Sequence, residues 1–234
     1  MDIPFPVRRA ARPPLGEVLD VLEDVYGPQP PPAVTDPWQQ VVLENVVYLV
    51  DDERRLRAFE RLGAAVGTAP EHVLAAAPGA LQEATGLGMR ADAQADKLRA
   101  AARLALDQFG GDLSAIRSLP LAEARRALCR FPAIGEPAAD RILLFAGIHP
   151  VVALDSNGVR VLLRLGFGEE RPGYAATLRS VRGVVGPELA GEFRPLVRAY
   201  LLLRAHGRGL CRRSSPACAA CPLAERCAHA LAAG

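Results

Sequence analysis

Lysine is almost missing from this chain. Lys97 is the sole one among 234 residues, and the cationic side chains besides histidine are otherwise arginines. Chemistry that needs a side-chain amine, a Schiff base above all, therefore has one residue to draw on. Net charge is also small, +2, so no whole-molecule field points to a polyanion and any basic face has to be local. No apolar run approaches the length of a membrane span, and the opening Met1-Asp-Ile-Pro-Phe-Pro6 lacks the charged-then-apolar layout of a signal peptide. No internal repeat is present, and no stretch alternates apolar and polar residues as a half-buried strand does. These absences leave an all-α, cytoplasmic protein. Half of its residues are hydrophobic, enough for one large or two small domains with real cores.

What the chain does have is clustered cysteine. Of five, Cys211, Cys218, Cys221 and Cys227 read C-x6-C-x2-C-x5-C. In a chain without an export signal this layout argues for metal ligation over disulfides. Structural zinc sites with four cysteines usually pair two short knuckles far apart, whereas this loop has one short knuckle and two longer gaps, which fits an iron–sulfur cluster better; zinc is the alternative. Arg212 and Arg213 lie in the first gap, where a rigid loop would hold two guanidinium groups outward for phosphates, and Arg160, Arg164, Arg204 and Arg208 would extend that patch. Cys129 reads as a small core residue on an apolar helical face.

Leu119, Leu121, Ala124, Leu128 and Phe131 recur at helical spacing, Pro132 and Gly135 mark a turn, and Ala138, Ile142, Leu143 and Phe145 continue as a second helix. Pro132, Ala133, Ile134 and Gly135, with Ala138 in the next helix, then form a hairpin. Pro132 aside, their backbone N–H groups lack partners, and with the helix dipole they suit a phosphate. A glycine turn between helices is also an ordinary packing device. Leu154-Asp155 follows, and Asp155 precedes a helix running to Leu165, the position of an N-cap worth roughly 1 kcal/mol.

Before the hairpin, a Pro-rich, arginine-bearing start leads to a helix from Leu15 to Tyr26, and Pro28-Gln-Pro-Pro-Pro32 is a linker. Asp36-Pro37 opens a helix carried to about Val50 by Trp38, Val41, Val42, Asn45, Val46 and Leu49. Further helices are expected near 52–65, 70–77, 78–86 and 92–109, and, beyond a loop at 166–173, near 174–184 and 187–206. Leu87 and Met89, in a glycine-flanked loop, are either core anchors or a wedge of the kind that props a duplex open. Tyr48 either packs with its hydroxyl at the surface or stacks on an unpaired base.

The stretch from Phe131 to Val161, with the cysteine spacing and its lead-in His206-Gly-Arg208, resembles the endonuclease III, helix-hairpin-helix superfamily of DNA glycosylases. The resemblance implies two helical domains flanking a DNA-binding cleft, a six-helix one at 36–150 and a discontinuous one at 1–35 plus 151–234, with a [4Fe–4S] cluster on the four cysteines. It puts Asp155 in the place of the catalytic aspartate. It also implies base-excision repair on double-stranded DNA with a lesion or mismatch, by a monomer that is nucleoid-associated in a bacterium. By offset, Glu44 matches the general acid of adenine-mismatch members, which calls for a raised pKa; the alternative is a solvated surface glutamate. Asp140 supports the hairpin or lines a pocket, and Tyr48 or a neighbour stands where the family has a glutamine beside the vacated base. Two positions depart from the pattern. Pro137 replaces the lysine that gives bifunctional members their lyase activity, and Ala133 replaces the hairpin's first glycine. The expectation is a monofunctional glycosylase with an alkylated purine as first choice. The alternatives are an endonuclease III-type enzyme with residual abasic-site lyase activity and an inactive DNA-binding homologue.

Overall fold

The computed structural model describes residues 12–48, 50–189 and 191–233. The arginine-bearing start at 1–11 and Leu49 lie outside them. All regular structure among the described residues is helical, in the order α1 (Leu15–Tyr26), α2 (Pro37–Asn45), α3 (Asp52–Ala65), α4 (Pro70–Ala75), α5 (Pro78–Thr85), α6 (Ala91–Phe109), α7 (Leu121–Leu128), α8 (Glu136–Phe145), α9 (Ser156–Arg164), α10 (Tyr174–Val185), α11 (Phe193–Gly209) and α12 (Ala228–Ala233). None of these helices is long and apolar enough to cross a membrane. The described residues form two compact units: Pro32–Val151, and the chain up to Pro31 together with that from Val152 onward.

Pro32–Val151 is built on α6. Gln94, Ala95, Leu98, Ala101, Ala102 and Ala105 are its buried stripe, and α2, α4 and α5 pack on this helix. Four alanines let those neighbours come close without leaving voids. Acidic caps set the helix starts: Asp36 accepts from the Gln39 N–H at 2.9 Å and Asp51 from that of Arg54 at 2.8 Å, each worth about 1 kcal/mol. Phe131, at the mouth of the hairpin, stacks on Phe109 with ring centres 5.9 Å apart and meets Trp38 at 6.5 Å.

α2 stops at Asn45, short of the expected Val50. The Asn45 side chain turns back to the Val41 carbonyl at 2.9 Å and reaches the Pro132 carbonyl at 2.8 Å, and the chain must then become extended at Asp51 to cap α3. α11 starts at Phe193 and not near 187, because Gly186–Glu188 form a 3-10 turn and Gly191 adopts φ 105°. A 3-10 stretch at Leu113–Ser118 was not foreseen.

In the other unit α11 packs on α9 and α1. Leu196, Ala199, Tyr200, Leu202, Leu203, His206 and Gly207 are its buried positions. Gly207 is where α11 meets the first turn of α9: a Cβ there would lie 2.7 Å from the Cβ of Asn157 and 3.0 Å from its carbonyl oxygen. The glycine of the His206-Gly-Arg208 lead-in is thus a close-approach glycine.

Candidate active site

The hairpin joins α7 to α8. Ala133 takes φ 59°, the left-handed region that a glycine enters freely and alanine enters at a cost of about 1–2 kcal/mol. Gly135 is the N-cap of α8 with no side chain capping it, so the first-turn N–H of Ala138 has no intrahelical acceptor. Ala133 and Gly135 are exposed, and Pro132 and Ala138 are half-buried. Ile134 does not belong with them. Its side chain is 4% exposed and its N–H is bonded to the Phe131 carbonyl at 3.2 Å, so it anchors the turn and has no donor left for a phosphate.

Two buried contacts brace this hairpin. Asp140 of α8 is fully buried and takes the Arg125 Nε of α7 at 2.7 Å. The last turn of α2 supplies the other, through Asn45 on Pro132 and through Glu44, whose carboxylate lies 3.0 Å from Arg141 of α8 and 2.7 Å from Arg55. The raised pKa expected of Glu44 is not met. Burial pushes its carboxyl up, but Arg141 and Arg55 outweigh burial and hold it below the ordinary range. Glu44 is thus ion-paired with Arg55 and Arg141 and clamps α2 to α8.

Tyr48 and the Leu87–Met89 loop, forty residues apart in sequence, meet. The Met89 N–H reaches the Tyr48 carbonyl at 3.4 Å, and a Cβ on Gly88 would lie 3.0–3.1 Å from Val47 and Tyr48. Met89 is 60% exposed and Tyr48 46%, while Leu87 is half-buried. Lys97, the lone lysine, holds its ammonium 5.7 Å from the centre of the Tyr48 ring. Cys129, expected in the core, is exposed, because it caps the C-terminus of α7 past the stripe of Ala124 and Leu128.

In the other unit, Asp155 is the N-cap of α9. Oδ1 accepts from the N–H groups of Asn157 and Gly158 at 2.9 and 2.8 Å, and Oδ2 accepts from Asn157 Nδ2 at 3.0 Å and Arg204 Nη1 at 3.1 Å. Burial first, then the Asp155 charge, pushes the phenol of Tyr174 up to about 12, so it stays neutral beside that carboxylate. A hydrogen-bonded chain runs on from Asp155. Asn157 Oδ1 accepts from Arg160 Nη2 at 2.8 Å, and Arg160 Nε donates to the Cys211 carbonyl at 2.9 Å.

Arg160, Arg164 and Arg204 are therefore not free members of a basic patch. Arg204 holds Asp155, while Arg164 Nη1 donates to Cys211 Sγ at 3.3 Å and to the Arg212 carbonyl at 2.8 Å. Arg212 and Arg213 are exposed. Apart from the contact of Arg164 with Cys211 Sγ, neutral carbonyl oxygens accept from Arg160 and Arg164 and do not cancel their charge. Both residues, with Arg171, Arg213 and Tyr174, line a groove of about 880 Å³.

Cys211, Cys218, Cys221 and Cys227 line one pocket whose walls include Val161, Leu165, Leu210 and Leu223. Among the described residues no three His, Cys, Asp or Glu side chains converge as a ready single-ion site. Zinc requires its sulfurs about 2.3 Å from one point. Four cysteine thiolates are the donor set that a [4Fe–4S] cluster takes, one at each iron, and here all four line one pocket. The donor set suits the cluster.

Sequence reasoning did not assign a function to Asn45 or Tyr174 in these contacts. Their partners Pro132 and Asp155 lie on other elements, and no local pattern marks such partners.

No family model matches the chain. It is 37% identical over 108 residues, 43% of its length, to a thymine/uracil-DNA glycosylase of Pyrobaculum aerophilum, and 25% identical over 138 residues, 54% of its length, to the DNA glycosylase/AP lyase ROS1 of Arabidopsis thaliana. The matched stretches amount to 44% and 10% of those relatives' own lengths. The structure is similar to that of endonuclease III in a non-covalent DNA complex, with TM-score 0.74 and 18% identity over 94% of this chain and 96% of the other. The chain has the fold of endonuclease III, and part of its sequence is similar to DNA glycosylases.

Proposed function

We propose that the chain is a monofunctional DNA glycosylase of base-excision repair, hydrolysing the N-glycosidic bond of a damaged or mismatched base in duplex DNA. The observation that carries this reading is Asp155: on an endonuclease III fold, a carboxylate held at a helix N-terminus by Asn157, Gly158 and Arg204. Base excision builds positive charge at the sugar, and a fixed anion with no reorganisation to undergo stabilises it. The same carboxylate orients the attacking water. The exposed turn at Ala133 and Gly135, with the donor of Ala138, holds a phosphate, and Arg212 and Arg213 hold another. Met89 and Tyr48 fill the space left by the extruded base.

Cys211, Cys218, Cys221 and Cys227 would hold a [4Fe–4S] cluster. When bound, it supplies a rigid, redox-capable crosslink for a loop with little core of its own. Pro137 bears no amine, so the Schiff-base route to strand cleavage is closed at that position. We place the protein in the cytoplasm, on the nucleoid in a bacterium, as a monomer.

The state of Glu44 narrows the base. A departing adenine needs a proton that this ion-paired carboxylate does not carry. A purine alkylated at N3 or N7 already bears positive charge in its ring and needs none from Glu44. A second reading is thymine or uracil, favoured by the match to the Pyrobaculum aerophilum enzyme.

A panel of duplexes containing alkylated purines, mispaired thymine or uracil, assayed with and without hot alkali and with borohydride, tests the proposal. Strand breaks that need alkali, with little borohydride trapping, are expected. Breaks without alkali, and trapping that disappears in Lys97→Ala, would establish a lyase. No excision from any duplex by iron-loaded protein would leave a DNA-binding homologue.

A further inference from the structure

We propose that Tyr26 and His206 form a hydrogen-bonded pair that acts through Cys221 to raise the reduction potential of the cluster. This rests on the iron–sulfur reading above. His206 lies on α11 and is 1% exposed. Its Nε2 is 3.6 Å from Cys221 Sγ, and its Nδ1 is 3.0 Å from the hydroxyl of Tyr26. The two rings meet edge to face, 6.0 Å between centres at 65°.

Proton bookkeeping fixes the direction of both bonds. A ligating Cys221 is a thiolate and can only accept, so the imidazole must present its one N–H at Nε2. Nδ1 is then an acceptor, and the Tyr26 hydroxyl must be the donor to it. Without that hydroxyl the proton is free to sit at Nδ1, which would turn a lone pair toward the sulfur. Tyr26 thus selects the tautomer, as outer partners do for ligating groups.

The fold holds Tyr26 for this purpose from the far end of the chain. It is the last residue of α1, and Arg198 of α11 ties that helix down by Nη2 contacts of 2.7 Å to Glu23 and 2.8 Å to Asp20. His206 and Tyr26 are positioning residues, since neither ligates.

Reduction adds one negative charge to the cluster and its sulfurs. An N–H···S bond is stronger to the more negative state, so it favours reduction, and hydrogen bonds to sulfur are among the determinants of such potentials. Removing the donor lowers the potential.

The test is direct electrochemistry of the cluster-loaded full chain, with iron and sulfide content measured on the same samples. His206→Leu should lower the reduction equilibrium constant about tenfold, which is about 59 mV for one electron. Tyr26→Phe should move it the same way by less, and His206→Gln, which keeps an N–H donor, should stay nearer the parent than His206→Leu. If His206→Leu fails to load, Tyr26→Phe decides alone, since it removes only a half-buried hydroxyl. Loaded Tyr26→Phe and His206→Leu proteins with the parent's potential would overturn the proposal. A parent without iron would overturn the iron–sulfur reading, and this inference with it.

Discussion

Two glycine-to-alanine changes in helices should have opposite signs. In a helix interior the exchange normally stabilises by about 1 kcal/mol. Gly183 of α10 is exposed, and an added Cβ would meet nothing within 4 Å. Gly183→Ala should therefore gain that amount. At Gly207 the same methyl would stand 2.7 Å from Asn157 Cβ and 3.0 Å from its carbonyl oxygen. Neither atom can swing aside, because Asn157 sits in the first turn of α9 under the Asp155 cap and accepts from Arg160. Relieving the clash has to part α9 from α11, and overpacking of this kind costs about 1–3 kcal/mol. Set against the helix gain, Gly207→Ala should lose up to about 2 kcal/mol. At about 2–4 °C per kcal/mol for a protein of this size, calorimetry should find Tm raised by roughly 2–4 °C for Gly183→Ala and lowered by up to roughly 8 °C for Gly207→Ala. A Gly207→Ala protein as stabilised as Gly183→Ala would refute the close approach of α9 and α11.

Ala133→Gly should relieve the left-handed strain at φ 59°; about 1–2 kcal/mol of strain less about 0.5–1 of added chain entropy leaves roughly 0.5–1 kcal/mol of stabilisation, read as a higher urea midpoint at unchanged slope. Glu44→Gln should destabilise by about 3 kcal/mol by leaving Arg141 and Arg55 without their carboxylate. The folded pKa of Glu44 lies below its unfolded value of about 4.3, so its contribution is present above that pH and lost as pH falls through the folded value. Unfolding followed from pH 7 to pH 3 should show this acid-side loss in the parent and not in the variant. Replacing Arg212 and Arg213 together by Ala should weaken binding to all duplexes alike and reduce the salt slope by roughly two; an unchanged slope would place the phosphates elsewhere.

The helices were legible because their signals are local. Asp36-Pro37, Asp51 and Asp155 announce helix starts through their own side chains, and the apolar stripe of α6 repeats within its own length. What sequence could not show is what long-range partners do to a residue. Glu44 reads as a candidate acid until Arg55 and Arg141 arrive from two other helices. Ile134 reads as part of a phosphate-binding turn until its side chain is found in the core. Arg160, Arg164 and Arg204 read as a basic face, yet their guanidinium groups turn toward Asp155 and the cysteine loop. The proximity of Tyr48 to Met89 arises from the fold alone, since forty residues separate them.

The central claim is that Asp155 supplies the charge for excision. Asp155→Asn keeps an oxygen to cap α9 and removes the anion, together with the acceptor for Asn157 Nδ2 and Arg204. Single-turnover excision and equilibrium binding, measured on the duplex most active in the lesion panel, separate these roles. The rate should fall by roughly 10²-fold or more while the Kd for lesion DNA stays nearly unchanged, since the loss is confined to the transition state. Excision by the Asn variant at the parent's rate would contradict the assignment and leave Asp155 as a helix cap.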